Sequence, residues 1–449
     1  MFDEREAMNA MNHYSRRAML QQAGVGFGWL AFSALAQEQK RFENPLAPKM
    51  PHHPAKAKRV IFVFLNGGPS HLDTFDWKPE LAKMGAPYLV PQFEFKPRGQ
   101  SGLMISEAFP ELAKQADELC LINSATTKNP GHQQAVVAIH TGNEMFVRPS
   151  MGAWVTYGLG TMAQDLPGFV TINPIGDLGG AMNYGSAFLP ATFQGTRVSS
   201  GGGVPDLGNR VWAESDQVKQ LRFMQKANRR FQERTDPGNS ELEGVIQSYE
   251  LAFQMQRSVP EVFALEDEPQ HVQDLYGIGN GVTDSFGRSC LMARRLAEKG
   301  VRFIQVTSSG WDHHNRMKEA LGERAGTIDL PLSGLIADLK QRDMLKETLI
   351  VCSGEFGRGA HMDNGGGRGH QASGFTVWMA GGGVKGGLRY GATDELGVKA
   401  VEQAMPTHDL HATILHLMGL DHEELTYRYA GRDFRLTDVA GEVHSGIFM

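Results

Sequence analysis

The chain alternates short, unbroken apolar runs with longer segments of mixed polarity. Residues 60–65 read VIFVFL and stop abruptly at Asn66-Gly67-Gly68-Pro69-Ser70. Similar runs recur at 119–122, 169–172, 301–306, 348–352 and 375–379. A short apolar run without polar alternation predicts a strand covered on both faces. Helical patterns at 285–299 and 327–342 lead into two of these runs. Strand-helix alternation predicts an α/β fold, with a mostly parallel sheet between helical layers. Residues 201–274 break the pattern, with a glycine-rich start followed by charged amphipathic helices expected at 217–233 and 241–257, as a helical insertion or part of the outer layer.

The N-terminus has a different grammar. Ser15-Arg16-Arg17 precedes an apolar stretch from Ala23 to Leu35, and Ala34-Leu35-Ala36 supplies small residues for cleavage. That order predicts a secretory signal over 1–36, with paired arginines specifying the twin-arginine translocase as partner. The apolar stretch contains Gly24, Gly26, Gly28 and Ser33 and falls short of the roughly 20 residues a membrane span needs. The first cysteine is Cys120, which excludes a lipid-anchored cleavage site. The expected product is periplasmic or extracellular, with a linker at 37–57 and one domain at 58–449.

Composition narrows the function classes. A net charge of -6 gives no basis for a nucleic-acid partner. Three well-separated cysteines do not form a disulfide framework, and Cys352 lies inside an apolar run as a buried residue. Sixteen histidines are the unusual count. Ligands gather at the C-terminal ends of parallel strands, and the polar groups there are rich in His, Asp, Glu and Asn. They include Asn66 to Asp73, Gly310-Trp311-Asp312-His313-His314, Gly354-Glu355-Phe356-Gly357-Arg358 and Gly365 to His370. A further group, Asn129-Pro130-Gly131-His132, opens an expected helix that ends at His140-Thr141-Gly142. Mixed nitrogen and oxygen donors suit zinc, manganese or a similar divalent ion, whereas pure oxygen sets suit calcium or magnesium. Gly365 to Gly367 and Gly381 to Gly383 lack the strand-GxGxxG-helix order of a nucleotide site and read as flexible loops. Thr407 or Asp409 is expected to cap a helix beside His408 and His411.

The motifs at 65–76, 310–314, 354–358, 380–387 and 425–438, in this order, resemble the bacterial family of exported domains of unknown function numbered fifteen-oh-one. That family resembles in turn the alkaline phosphatase and sulfatase superfamily. The resemblance implies a three-layer α/β/α sandwich carrying a site for zinc, manganese or calcium. It implies metal binding by Asp312, His314 and His370, with Glu355 and Asn66 standing where further ligands belong. Asn66 replaces an expected aspartate, which weakens or rebuilds a second metal position, with His71 or Asp73 as substitutes. The superfamily's nucleophile lies ten positions before a helix-ending glycine, and that position is His132, a candidate nucleophile, base or ligand. Arg358 and Arg368 are candidates to grip an anion bidentately, and Ser70 and His71 to touch substrate. The implied substrate is an anionic small-molecule or carbohydrate ester. The alternative is a binding or assembly protein that keeps the fold without the chemistry.

Overall fold

The computed structural model describes residues 45–163, 165–201, 214–235, 261–363 and 365–449. The expected signal at 1–36 and the helix expected at 241–257 lie outside them. Each of the six apolar runs forms a strand. Along the chain the strands are β1 (Arg59–Asn66), β2 (Phe95–Arg98), β3 (Leu103–Ser106), β4 (Leu119–Thr126), β5 (Phe169–Ile172) and β6 (Thr196–Val198). Then come β7 (Phe303–Ser309), β8 (Thr348–Ser353), β9 (Gly357–Asp363), β10 (Gly367–Gln371), β11 (Phe375–Ala380) and β12 (Leu388–Tyr390). The central sheet runs β12-β4-β11-β8-β1-β7-β5-β6, and the two-residue strand Met405–Pro406 also pairs with β4. Its pairings are parallel except those of β11, which is antiparallel to both β4 and β8.

The continuous apolar runs have a direct structural cause. In β1, Ile61, Val63 and Leu65 pack with Cys290, Leu291, Ile328 and Leu335 in one core. Their neighbours Val60, Phe62 and Phe64 pack with Val136, Trp154 and Ile414 in the other. Successive side chains of a strand point to opposite faces, so a strand with a core on each side has no position for a polar residue. Helices α1 (His132–Thr141), α2 (Met151–Leu159) and, later in the chain, Thr407–Leu417 supply the second core, and Asp284–Glu298 and Met317–Gln341 supply the first. This is a three-layer α/β/α sandwich. Phe62 and Phe64 are fully buried, and truncating either to alanine costs about 3–5 kcal/mol.

Of the stretch expected at 201–274, helix Glu214–Thr235 is described and covers the first of its two expected helices. The described part of the expected linker is fastened to the domain. Lys49 N–H donates to Leu159 O, and Lys56 and Ala57 N–H both donate to Leu417 O. No helix among the described residues is long and apolar enough to cross a membrane.

Candidate metal centre

The ends of β1, β7 and β8, the start of α1 and the hairpin β9–β10 meet at one edge of the sheet. The parallel strands deliver their C-terminal loops there. The reversed strand β11 begins at the same edge, so the residues just before it, including His370, are brought back to the site.

Local sequence makes this close assembly feasible. Gly67 follows β1 with φ +124°, and a Cβ there would lie 2.5 Å from Asp312 N. A side chain is therefore excluded, and Gly67 N–H reaches both Glu355 oxygens at 3.0 and 3.1 Å. Gly367 does the same for the hairpin, since a Cβ would stand 2.0 Å from the carbonyl carbon of His314. The glycines at 365–367 thus turn an antiparallel ribbon rather than a flexible loop, pairing Gly367 with Asp363 and Arg368 with Met362.

Three imidazoles converge on one carboxylate. His132 Nε2, His314 Nε2 and His370 Nε2 lie 3.3, 3.0 and 3.4 Å from Asp312 Oδ1. The Nε2 atoms of His314 and His370 are 3.0 Å apart. Ligand atoms of His132, Asp312 and His370 all lie within 4.8 Å of one another, and His314 adjoins the last two.

The outer nitrogen of each ring is anchored. His132 Nδ1 lies 2.6 Å from Glu355 Oε1, His314 Nδ1 2.6 Å from Asp363 Oδ2, and His370 Nδ1 2.7 Å from Pro130 O. Carboxylate and carbonyl oxygens accept, so each Nδ1 carries the proton and donates. Each Nε2 then presents a lone pair inward, the pattern by which outer-shell oxygens orient metal-binding histidines. Lone pairs 3.0 Å apart repel unless a proton or cation lies between them. His132 Nε2 is buried without a hydrogen-bond partner among the described residues.

A divalent metal fits this donor set. For ligand bonds of about 2.0–2.1 Å, neighbouring donors in a tetrahedron stand about 3.3–3.4 Å apart, close to the separations given above. Asp312, Glu355 and Asp363 bring three carboxylates against the guanidinium of Arg358. The Asp312 side chain is 46% exposed, leaving an open approach.

Electrostatics follow the same contacts. Burial pushes the Asp312 carboxyl up, but the Arg358 hydrogen bond and charge, with help from His132 and His314, hold it down at about 2. Burial lowers the His132 imidazole, and the Glu355 hydrogen bond with the charges of Glu355 and Asp312 overcomes this to raise it overall. His370 is lowered by burial and by the charge of Arg358.

The other expected site residues are placed differently. Arg358 is fully buried and donates to Gly67 O, Gly68 O, Arg368 O and Asp312, so it staples the loops beneath the convergent group. Arg368 is equally buried and pairs with Asp73 through Nε at 2.7 Å and Nη2 at 3.2 Å. Ser70 Oγ donates to Asp73 at 2.6 Å, and His71 Nε2 donates to Gly397 O at 2.8 Å. Asp73 and His71 therefore serve the framework, and Ser70, His71 and Arg368 have no free edge for a substrate. Asn66 stays apart from the convergent group, with Nδ2 3.5 Å from Ser309 Oγ. Asp409 does not cap its helix. It accepts from Glu442 N–H and lies 3.2 Å from His444 Nε2, and the helix preceded by Pro406 has no side-chain cap. Asp363 is the site member that sequence reasoning missed. It sits in no apolar run, and its signal was only the neighbouring glycine triplet.

The sequence model of a family described as "Protein of unknown function (DUF1501)" matches residues 57–448. No curated protein matches the chain. Among solved structures, the chain is similar to the PsFucS1 sulfatase from Pseudoalteromonas sp. at 13% identity, over 87% of this chain and 72% of that one, with a TM-score of 0.36. It is similar to alkaline phosphatase from the Antarctic bacterium TAB5 at 12% identity, over 82% and 99%, with a TM-score of 0.33. The lipoteichoic acid synthase LtaP from Listeria monocytogenes shares 10% identity over 89% and 80%, with a TM-score of 0.36.

Proposed function

This chain belongs to the family described as proteins of unknown function, DUF1501, and from that premise we propose that it is an exported, metal-dependent hydrolase of sulfate or phosphate esters. The observation that supports this reading above others is the convergence of three Nδ1-anchored imidazoles on Asp312. His132, Asp312, His314 and His370 would hold a divalent ion, of which zinc and manganese suit the nitrogen-rich donors better than calcium. When bound, such an ion supplies Lewis-acid polarisation of the ester oxygen and lowers the pKa of water.

The chain's own residues do the rest. Glu355, Asp363 and Pro130 O fix the ring protons at Nδ1 and so aim the inner nitrogens. Helix α1 begins at His132, and its unpaired N–H groups and dipole favour an anionic ester oxygen there. The convergent group contains no serine, threonine or cysteine, which favours water as the attacking group and His132 as ligand or base over nucleophile.

One observation favours a second reading. Arg358 already neutralises Asp312, so the site can stand as a metal-free binding surface on the same fold. Elemental analysis of protein purified without added metal separates the two, alongside turnover of aryl sulfate and aryl phosphate. Near-stoichiometric metal with turnover supports the hydrolase; metal-free, inactive protein supports the binding protein.

Export by the twin-arginine translocase belongs to the same proposal, because a site assembled from residues 132, 312, 314 and 370 exists only after folding. Redirecting export through the unfolded-chain route is expected to give metal-poor or mismetallated protein. Normal metal content by that route would reduce the signal to an address.

A further inference from the structure

Arg324 has an uncommitted guanidinium beside the turn that follows β7. Arg358 and Arg368 are locked into carboxylates and carbonyls, and Arg294 and Arg342 into Glu298 and Asp338. Arg324, on helix Met317–Gln341, is half-buried, and its guanidinium makes no hydrogen bond or ion pair among the described residues. It lies against Gly310, where a Cβ would meet the guanidinium at 3.1 Å. Gly310 has φ +95°, so glycine both permits the turn and leaves room for the flat group.

The surroundings are polar and adjoin the convergent group. Gly310 lies two residues before Asp312. The preceding Ser309 is exposed and stands in register with Asn66 across β1 and β7. Trp311 N–H donates to Asn66 O at 3.1 Å, fixing Asn66 beside this turn. Asn66 Nδ2 donates to Ser309 Oγ at 3.5 Å, so the amide orients the Ser309 hydroxyl and leaves its O–H to donate outward.

The geometry points to an anion subsite in which Arg324, with Ser309 and Asn66 beside it, receives a second acidic group of the substrate: a carboxylate, sulfate or phosphate not itself cleaved. A free guanidinium edge offers two parallel N–H donors to such a group. It also offsets the repulsion a doubly anionic substrate would meet from Asp312, Glu355 and Asp363. As a substrate assignment this inference rests on the ester-hydrolase reading, but the anion site itself does not.

The test uses the whole mature protein in two states. Chelator-treated protein is titrated with inorganic sulfate by calorimetry, and metal-loaded protein is assayed with aryl phosphates with and without a ring carboxylate. Arg324→Gln is expected to weaken sulfate binding about tenfold and to lower about tenfold the kcat/KM preference for the carboxylate-bearing ester, with Arg324→Lys intermediate because charge is kept and the planar fork is lost. If no ester is hydrolysed while Arg324→Gln still weakens sulfate binding, the hydrolase reading falls and the subsite stands. If esters are hydrolysed with the same preference in wild type and Arg324→Gln, the subsite is overturned and the hydrolase stands. Sulfate affinity equal in the two proteins, with no turnover, overturns both.

Discussion

Two sets of histidines in this molecule each have one anchored and one unpaired nitrogen and differ in what that second nitrogen faces. His140 and His411 each make one hydrogen bond to a backbone carbonyl, Val136 O at 2.7 Å and Ile139 O at 2.8 Å, and leave the other nitrogen buried and unpaired. His132 likewise has one anchored nitrogen and one buried, unpaired one. The free side of His140 meets the edges and faces of Phe62 and Phe64, at ring distances of 5.7 and 4.6 Å. The free side of His132 meets Asp312 at 3.3 Å, near His370. In the first setting burial drives the imidazole pKa down, to about 4 for His140 and about 3 for His411. In the second the neighbouring carboxylates raise it. An unpaired nitrogen among rings marks a neutral core residue; one aimed at a carboxylate and other imidazoles is placed where it could meet a cation.

The largest break in that contrast comes from removing inner donors. Asp312→Asn combined with His370→Ala is expected to take metal content from near-stoichiometric to background and to abolish ester turnover. Unchanged metal in this double variant would dissolve the distinction. Next come the outer anchors. Glu355→Gln is expected to cost about 100-fold in metal affinity, since Glu355 is buried and also holds Gly67 N–H. Asp363→Asn, whose side chain is 34% exposed, is expected nearer about tenfold. Competition with a chelator of known affinity ranks them, and equal effects would mean that burial does not grade the anchors.

The smallest effect is on stability and concerns the core set. The unfolded chain protonates histidine near its ordinary value of about 6.5, whereas folded His140 does so only near about 4. Between these values the unfolded chain holds more protons. Stability is therefore complete above about pH 6.5 and falls as pH drops toward 4, by at most ~1.4 kcal/mol per pH unit for each such histidine. Denaturant titrations at pH 7 and pH 5 should show the loss, and His140→Leu should reduce its slope. A slope that His140→Leu leaves intact would assign the acid sensitivity elsewhere.

Much of the frame was readable in the sequence because strands with cores on both faces leave unbroken apolar runs. The bounds of α1 were readable too, since Gly142 closes that helix in a left-handed conformation with φ 71°. Asp312, His314 and Glu355 were singled out by their position after strands together with the family resemblance, and His370 within a polar, glycine-rich segment that the same resemblance marked. Asp363 was not, because the ribbon that carries it lies off the sheet and its pairing is set by glycine geometry rather than by apolar periodicity. Arg368, Ser70 and His71 show the converse limit. Their positions marked the right edge of the sheet, but whether a polar side chain faces a ligand or a buried partner depends on Asp73 and Gly397, contacts across long stretches of chain.

The reversed direction of β11 has a consequence for how this protein can change. The chain leaves the sheet after β8 and re-enters it at β11 on the same edge, so residues 354–374 form a detour rather than a crossing. Such a detour can be lengthened, shortened or exchanged without rethreading the neighbouring strands. Glu355, Arg358, Asp363 and His370 all ride on it. His132, Asp312 and His314 stay with the sandwich, so relatives with different detours would keep these three groups while differing in the anchors and the third imidazole that complete them.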